Sequence, residues 1–327
     1  MELMKTIENK RVLFITTKNL DYIRNSQEID EISKISLELQ VIGSNRKNYL
    51  FRVIYVYWKL LFLSLKNFDV CFVGFAPQLI LPIWNWKIKR KYVVIDFFIS
   101  MYDTFVFDRQ KVSKKSLVAK VLFKIDQYTI KSADRVVADT KAHAEYFANE
   151  FSVKEEKISV MYLRADDSFF YPMKVEKRER ILGKYNVLYF GSVLPLQGVE
   201  VVLDAVRLLK EEKSIFFTII GPIKDKMKKV EQDNVEYIDW LSQTELAKYI
   251  AMSDLCLAGH FNEKIMKADR TIPGKAYIYR AMNKKMVLGD TTANHELFDD
   301  VEDVYFVERG SSEKLAELIK LLQEREK

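Results

Sequence analysis

Short apolar runs alternate with helix-length segments from one end of this chain to the other, and that alternation leaves few folds open. Runs such as Val-Leu-Tyr-Phe (187–190) and Phe-Thr-Ile-Ile (217–220) are β-rich and continuous, with no polar residue at every second place. Strands covered on both faces of a parallel sheet read this way. Six strands are predicted in the first half: Arg11–Thr17, Leu37–Gly43, Val70–Phe75, Tyr92–Phe97, Arg135–Ala138 and Ile158–Leu163. Six more follow: Val187–Phe190, Phe216–Ile220, Val235–Tyr237, Leu255–Ala258, Met286–Leu288 and Val304–Val307. The expected class is α/β, as two doubly wound parallel sheets with right-handed crossovers.

The stretch ADDSFFYPMKVEKRERILGK (Ala165–Lys184) joins polar residues, a proline and a charge run, as a linker does. The expected domains are therefore 1–170 and 171–327. Two such domains would face a central cleft at the carboxyl ends of their strands. With 327 residues, 49% of them hydrophobic, the chain can bury two cores.

Composition narrows the setting. No apolar run is long enough for a transmembrane helix, and Met1–Lys5 lacks the apolar core of a signal peptide. Cys71 and Cys256 lie far apart in apolar runs, which suits free thiols in a reducing cytoplasm. His143, His260 and His295 have no metal-ligand spacing, so no metal or cofactor is expected. Residues 1–172 carry a net charge of +7 and the remainder −1. The excess is densest over residues 46–91, where only Asp69 is acidic.

That basic stretch contains YLFRVIYVYWKLLFLSLKNF (Tyr49–Phe68), apolar almost all round, with Arg52, Lys59 and Lys66 spaced by seven. It reads either as a buried domain helix with one solvated cationic stripe or as a helix lying on an anionic bilayer. PIWNWKIKRKY (Pro82–Tyr92) adds Trp84 and Trp86 among cations, and Arg109–Lys124 adds six more cations. The expected place is the cytoplasmic face of the plasma membrane. Nucleic-acid binding rests on basicity alone and has no motif behind it, so it is not expected.

Two stretches of the second half point to an anion. YFGSVLPLQGVEVVLDAVRLL (Tyr189–Leu209) is a strand, a glycine turn at Gly191, and a helix opened by Gly198. It is also an ordinary structural turn. KADRTIPGKAYIYRAMNKKMVLGD (Lys267–Asp290) gathers Lys267, Arg270 and Lys275 around a helix start at Pro273, read as having no acid to pair with them. A cation in the first turn opposes the helix dipole, and a bound diphosphate would compensate. A solvated basic loop is the plain alternative.

In order and spacing, YFGSVLPLQGVEVVLDA, IDWLSQTELAKYIAMSDLCLA, RTIPGKAYIYRAM and GDTTANHELF resemble the C-terminal half of GT-B glycosyltransferases. The closest likeness is to the GT4-type family of bacterial polysaccharide and glycan assembly. The resemblance covers Tyr189 to about Phe306. VIDFFISMYDTFVFDR (Val94–Arg109) resembles a stretch of some bacterial members. It implies a GT-B enzyme with two Rossmann-like domains, the N-terminal one for acceptor and the C-terminal one for nucleotide sugar. It also implies hexosyl transfer, with retention, to a lipid-linked or surface-glycan acceptor.

Carried over by that resemblance, Gly191, Ser192, Gln197 and Gly198 lie against the donor diphosphate and sugar. Arg270 and Lys275, with Lys267, neutralise the leaving diphosphate. Ile238–Leu241 flank the nucleobase, and Thr291 and Thr292 lie near the phosphates. Tyr277 is a donor-side candidate. On the acceptor side stand Asp96 and Ser100, with Asp103 the candidate for touching sugar or acceptor hydroxyls. Asp108 and Arg109 read as an ion pair, His143 as a helix-surface residue and Glu296 as part of a helix start.

The chain departs from the family at named positions. Ser192 and Gln197 stand where many members have Arg and Lys, and Asn283-Lys284-Lys285-Met286 replaces Gly-Lys-Pro-Val. Ile278 stands where a Glu holds the ribose hydroxyls. Loss of that carboxylate should weaken donor binding by roughly 1.5–3 kcal/mol, about ten- to a hundredfold. A non-catalytic partner or scaffold of an active transferase is therefore the rival reading, as a homo- or hetero-oligomer.

Overall fold

The computed structural model describes residues 2–223 and 229–326. It divides into two compact units, Met1–Leu163 and Arg164–Lys327, so the break falls a few residues before the boundary expected at 170. Each unit holds one six-stranded sheet, parallel throughout.

The first unit runs α1 (Glu2–Ile7), β1 (Arg11–Ile15), α2 (Ile23–Ile35), β2 (Glu38–Ile42), α3 (Tyr49–Phe62) and β3 (Val70–Val73). It continues α4 (Leu81–Ile88), β4 (Tyr92–Asp96), α5 (Met101–Asp103), α6 (Leu117–Ser132), β5 (Arg135–Ala138), α7 (Lys141–Phe151) and β6 (Ile158–Val160). Strand order is β2-β1-β3-β4-β5-β6. Alternate strand residues feed opposite faces. Leu13, Ile15, Cys71 and Val93 pack under α3, α4, α6 and α7, while Val12, Phe14, Val70 and Phe72 pack under α1 and α2. Both faces being covered explains why these strands read as unbroken apolar runs.

The second unit runs β7 (Tyr185–Phe190), α8 (Val199–Leu208), β8 (Ile215–Ile220), β9 (Val235–Ile238), α9 (Gln243–Met252) and β10 (Leu255–Gly259). Then come α10 (Lys267–Arg270), α11 (Gly274–Ala281), β11 (Met286–Gly289), α12 (Thr292–Phe298), β12 (Val304–Val307) and α13 (Ser312–Glu324). The order β12-β11-β10-β7-β8-β9 reverses direction between β7 and β10. The corresponding point in the first unit lies between β1 and β3. Ligands of open α/β sheets bind beyond the carboxyl ends of the strands at such points.

All twelve predicted strands are present, with ends shifted by a few residues. The long helix is where the reading needs correcting. It ends at Phe62, so Lys66 lies beyond it. Arg52 is buried with Val56 and Leu60, so no cationic stripe faces solvent. Both cysteines are buried free thiols, each pushed up to about 12 by burial. No helix among the described residues is long and apolar enough to cross a membrane.

Candidate functional site

Gly191 follows β7 and Gly259 ends β10, and these two strands flank the reversal point of the second sheet. Lys275, in the first turn of α11, reaches into the gap between them. A Cβ on Gly191 would stand 3.1 Å from its Nζ. One on Gly259 would stand 3.2 Å from it and 2.6 Å from Gln197 Oε1. Gly259 also takes φ 99°, beside a slip in the β10–β11 register. Glycine there lets backbone come up to an ammonium group.

The Lys275 side chain is buried, and Nζ donates to Gln197 Oε1 at 2.5 Å and lies 4.8 Å from the centre of the Tyr189 ring. Among the described residues no carboxylate pairs with it, and burial brings its pKa down to about 7. The Tyr189 hydroxyl, 3.8 Å from where a Cβ on Gly191 would stand, is buried and has no hydrogen-bond partner among the described residues. A desolvated cation and an orphaned hydroxyl on one spot form a site short of an anion.

His260, which the sequence reading passed over except as an unlikely metal ligand, closes the other side. Its backbone is left-handed at φ 59°, unusual for a residue with a Cβ. Nδ1 faces the Thr271 carbonyl at 2.8 Å, so Nδ1 carries the proton. Burial, and then the charge of Lys275, push its pKa down to about 3. A neutral His260 thus ties the end of β10 to the turn that starts α11, and so fixes where Lys275 points.

The other expected donor residues fall out unevenly. Pro273 is the residue before α11 rather than within it. Gly198 takes φ 65° at the start of α8, and its missing Cβ makes room for the backbone of Phe261 and Asn262. Lys267 and Arg270 lie half-buried on α10, and the charge of Lys267 reaches His260. An acid does stand between them. Asp269 accepts from Thr292 N at 3.2 Å and Thr292 Oγ1 at 3.0 Å and pairs with Arg309 at 3.7 Å. Thr291 is buried and caps Asn294 N at 3.1 Å, so the start of α12 is satisfied from within the chain.

Tyr277 is buried, edge-on to Phe298 at 6.5 Å. Ser192 is exposed, and Ile278 is half-buried on α11. Asn283 takes φ 52°, the conformation a glycine favours after a helix, so the substituted turn is sterically at ease. Trp240, just past β9 within the expected nucleobase segment, is 77% exposed.

In the first unit Asp96 ends β4 and is wholly buried against Arg24, at 2.9 Å from its Nη2. Glu28, 3.3 Å from the same guanidinium, is held well above the carboxylate range by burial and by Asp96. Ser100 donates to Asp126 at 2.7 Å and caps Asp103 N at 2.9 Å. Asp103 is fully buried and accepts from Tyr146 OH at 3.5 Å. His143 is not a surface residue. It is buried, with Nδ1 2.6 Å from Asp139. Glu296 sits inside α12, not at its start. Arg24, Asn25 and Glu28 carry no motif in the sequence. Their one signal is a cation and an acid one turn apart at the start of α2.

Residues 184–325, nearly all of the second unit, match the family model described as Glycosyl transferases group 1. The chain is 26% identical over 204 residues to an uncharacterized 41.2 kDa protein in the cps region of Klebsiella pneumoniae, covering 60% of this chain and 54% of that one. It is 24% identical over 235 residues to a probable glycosyltransferase, WbjE, of Pseudomonas aeruginosa, covering 67% and 56%. The matches thus span about half the length of these curated relatives. Among solved structures, HepE of Anabaena in complex with UDP superposes at TM-score 0.64 with 13% identity, covering 97% of this chain and 91% of that one. The chain therefore has the two-domain GT-B fold of glycosyltransferases. Its second unit matches the group 1 glycosyl transferase model over residues 184–325.

Proposed function

We propose that the chain transfers a glycosyl group from a nucleotide sugar to a lipid-linked or surface-glycan acceptor, with retention at the anomeric carbon. The observation that carries this is Lys275, buried at the reversal point of the second sheet with no carboxylate beside it. A nucleoside diphosphate supplies the missing charge. HepE, of the same fold, has been solved with UDP and with UDP-glucose. The Klebsiella relative's cps region supports a role in polysaccharide assembly.

In this reading the bond from the anomeric carbon to the diphosphate breaks with its electron pair on the phosphate oxygen. The ammonium of Lys275, with Arg270 and Lys267 on α10, stabilises that charge. The acceptor hydroxyl oxygen bonds the anomeric carbon and gives its proton to the departing diphosphate oxygen. No metal ion or cofactor enters the scheme. The exposed indole of Trp240 offers a face to the base.

Calorimetric titration with UDP, GDP, dTDP and ADP tests this. Micromolar binding of one of them, lost in Lys275→Ala, is the expected result. No binding by folded protein overturns it and leaves the non-catalytic partner. Ile278 and the internally satisfied start of α12 favour that second reading.

A further inference from the structure

Helix α3 is apolar on its outward side as well as on its inward one. Its inward side holds Val56, Leu60 and a cation, Arg52, whose Nη1 donates to the Arg46 carbonyl at 2.9 Å. Its outward side presents Leu50, Phe51, Ile54, Trp58, Leu61 and Phe62, each between 52% and 72% exposed. A surface helix of a soluble domain carries polar and charged residues on that outward side.

The helices beside it continue the surface. On α4, Ile83 and Trp86 are exposed. On α6, Leu117, Val118 and Val121 are each more than half exposed. A groove of about 530 Å³ runs along α6 between Pro82 and Tyr128, walled by Leu117, Val121 and Ile125. Lys87 Nζ donates to the carbonyls of Leu60 at 2.5 Å and Leu61 at 3.1 Å, and Asn85 donates to Tyr128 OH at 2.9 Å. These bonds fix α4 to α3 and to α6, and all three helices cover the same face of the sheet. Apolar exposure of this extent marks an interaction site.

Charge selects the partner. The only acid on the three helices is Asp126, and it is buried. Lys59, Lys66, Lys89, Arg90, Lys120 and Lys124 are exposed on or beside them. Lysines with long stems among Trp, Tyr and aliphatic side chains suit an acyl and headgroup boundary of negative charge. Protein interfaces, by contrast, are depleted in lysine. We propose that the outer surface of α3, α4 and α6 docks on an anionic lipid leaflet, with the α3 side chains inserted below the headgroups. The inference does not depend on the donor site.

The test is co-sedimentation of the full chain with vesicles of phosphatidylcholine alone or mixed with phosphatidylglycerol. Binding at least tenfold stronger to the anionic vesicles, weakened by salt, is expected. Trp58→Ser with Phe62→Ser should reduce it at least tenfold while leaving the circular dichroism unchanged. As a second readout on the unaltered chain, brominated lipid should quench tryptophan fluorescence. Equal binding to both vesicles, no quenching, or binding indifferent to the double substitution overturns the proposal. So does concentration-dependent dimerisation without vesicle binding, which gives the face to a second copy.

Discussion

The ammonium of Lys275 donates to Gln197 Oε1 at 2.5 Å, and this neutral oxygen is the strongest polar contact that the buried cation has. An amide oxygen carries only a partial charge, so it leaves the ammonium under-compensated. The site's behaviour with pH follows from that.

Burial brings Lys275 to about pKa 7, and a bound diphosphate would raise it again. Between pH 7.5 and 9 the free protein is mostly neutral there, while the complex needs the proton. Binding should therefore take up close to one proton, and affinity should fall by about tenfold or more across that window. The ligand's terminal phosphate, with a pKa of about 6, is already ionised and adds no opposing trend. Calorimetry in two buffers of different ionisation enthalpy measures the uptake. Flat affinity would remove Lys275 from the diphosphate.

The same shift has a stability consequence of opposite sense. From about pH 7 to the ordinary lysine value of 10.5, the unfolded chain holds more protons at this position than the folded one. Stability should rise with pH through that window. Lys275→Met should abolish the rise and stabilise the second unit at pH 7 by on the order of 2 kcal/mol, while donor binding is lost. Urea titrations at pH 7 and 9 check it. Equal or lower stability of the variant at pH 7 would show that the native cation is not desolvated.

Gln197→Glu puts a carboxylate where the neutral oxygen now stands. It would pair with Lys275 and occupy the charge that a phosphate would use. Donor affinity should drop by about ten- to a hundredfold with the fold intact. Unchanged affinity would place the phosphates elsewhere.

Ile278→Glu tests the opposite change. The side chain is half-buried on α11, three residues after Lys275, so one helix face carries both. A carboxylate there that reaches two ribose hydroxyls should tighten binding by about tenfold. Titration of the variant beside Lys275→Ala separates a gained clamp from a missing site. No gain, from a variant that still binds, would mean that the ribose lies out of reach of this position.

The central strands were legible because they are covered on both faces, which forces continuous apolar runs such as residues 187–190, whereas edge strand β2 keeps one face exposed. Lys275 was legible because a cation in a first helical turn is unfavourable without a ligand. His260 was not, since its role depends on a left-handed backbone and on the Thr271 carbonyl eleven residues away. Asp269 was misjudged for a related reason. It stands in sequence between two cations, yet in space it serves Thr292 and Arg309. The stripe expected on α3 failed because seven-residue spacing fixes which residues share a side, not which side faces the sheet.

Asp96 provides the last prediction, because the sequence placed it on the acceptor side and the structure commits it to Arg24. Arg24 also donates from Nη1 to the Met161 carbonyl at 2.5 Å, so it binds α2 to the ends of β4 and β6. Arg24→Met would leave Asp96 charged and buried beside Glu28, at a cost of about 3–5 kcal/mol. Asp96→Asn removes one cause of Glu28's raised pKa and leaves Glu28 beside the guanidinium as a replacement anion, so it should cost less. The two together should cost less than their sum by roughly 2–3 kcal/mol, since neither then strands a charge. Urea unfolding is to be followed by probes in each unit, because two units need not melt together. Additive losses would mean that the pair is not the unit of stability. An Asp96→Asn protein of normal stability that fails only in transfer would return Asp96 to the acceptor side.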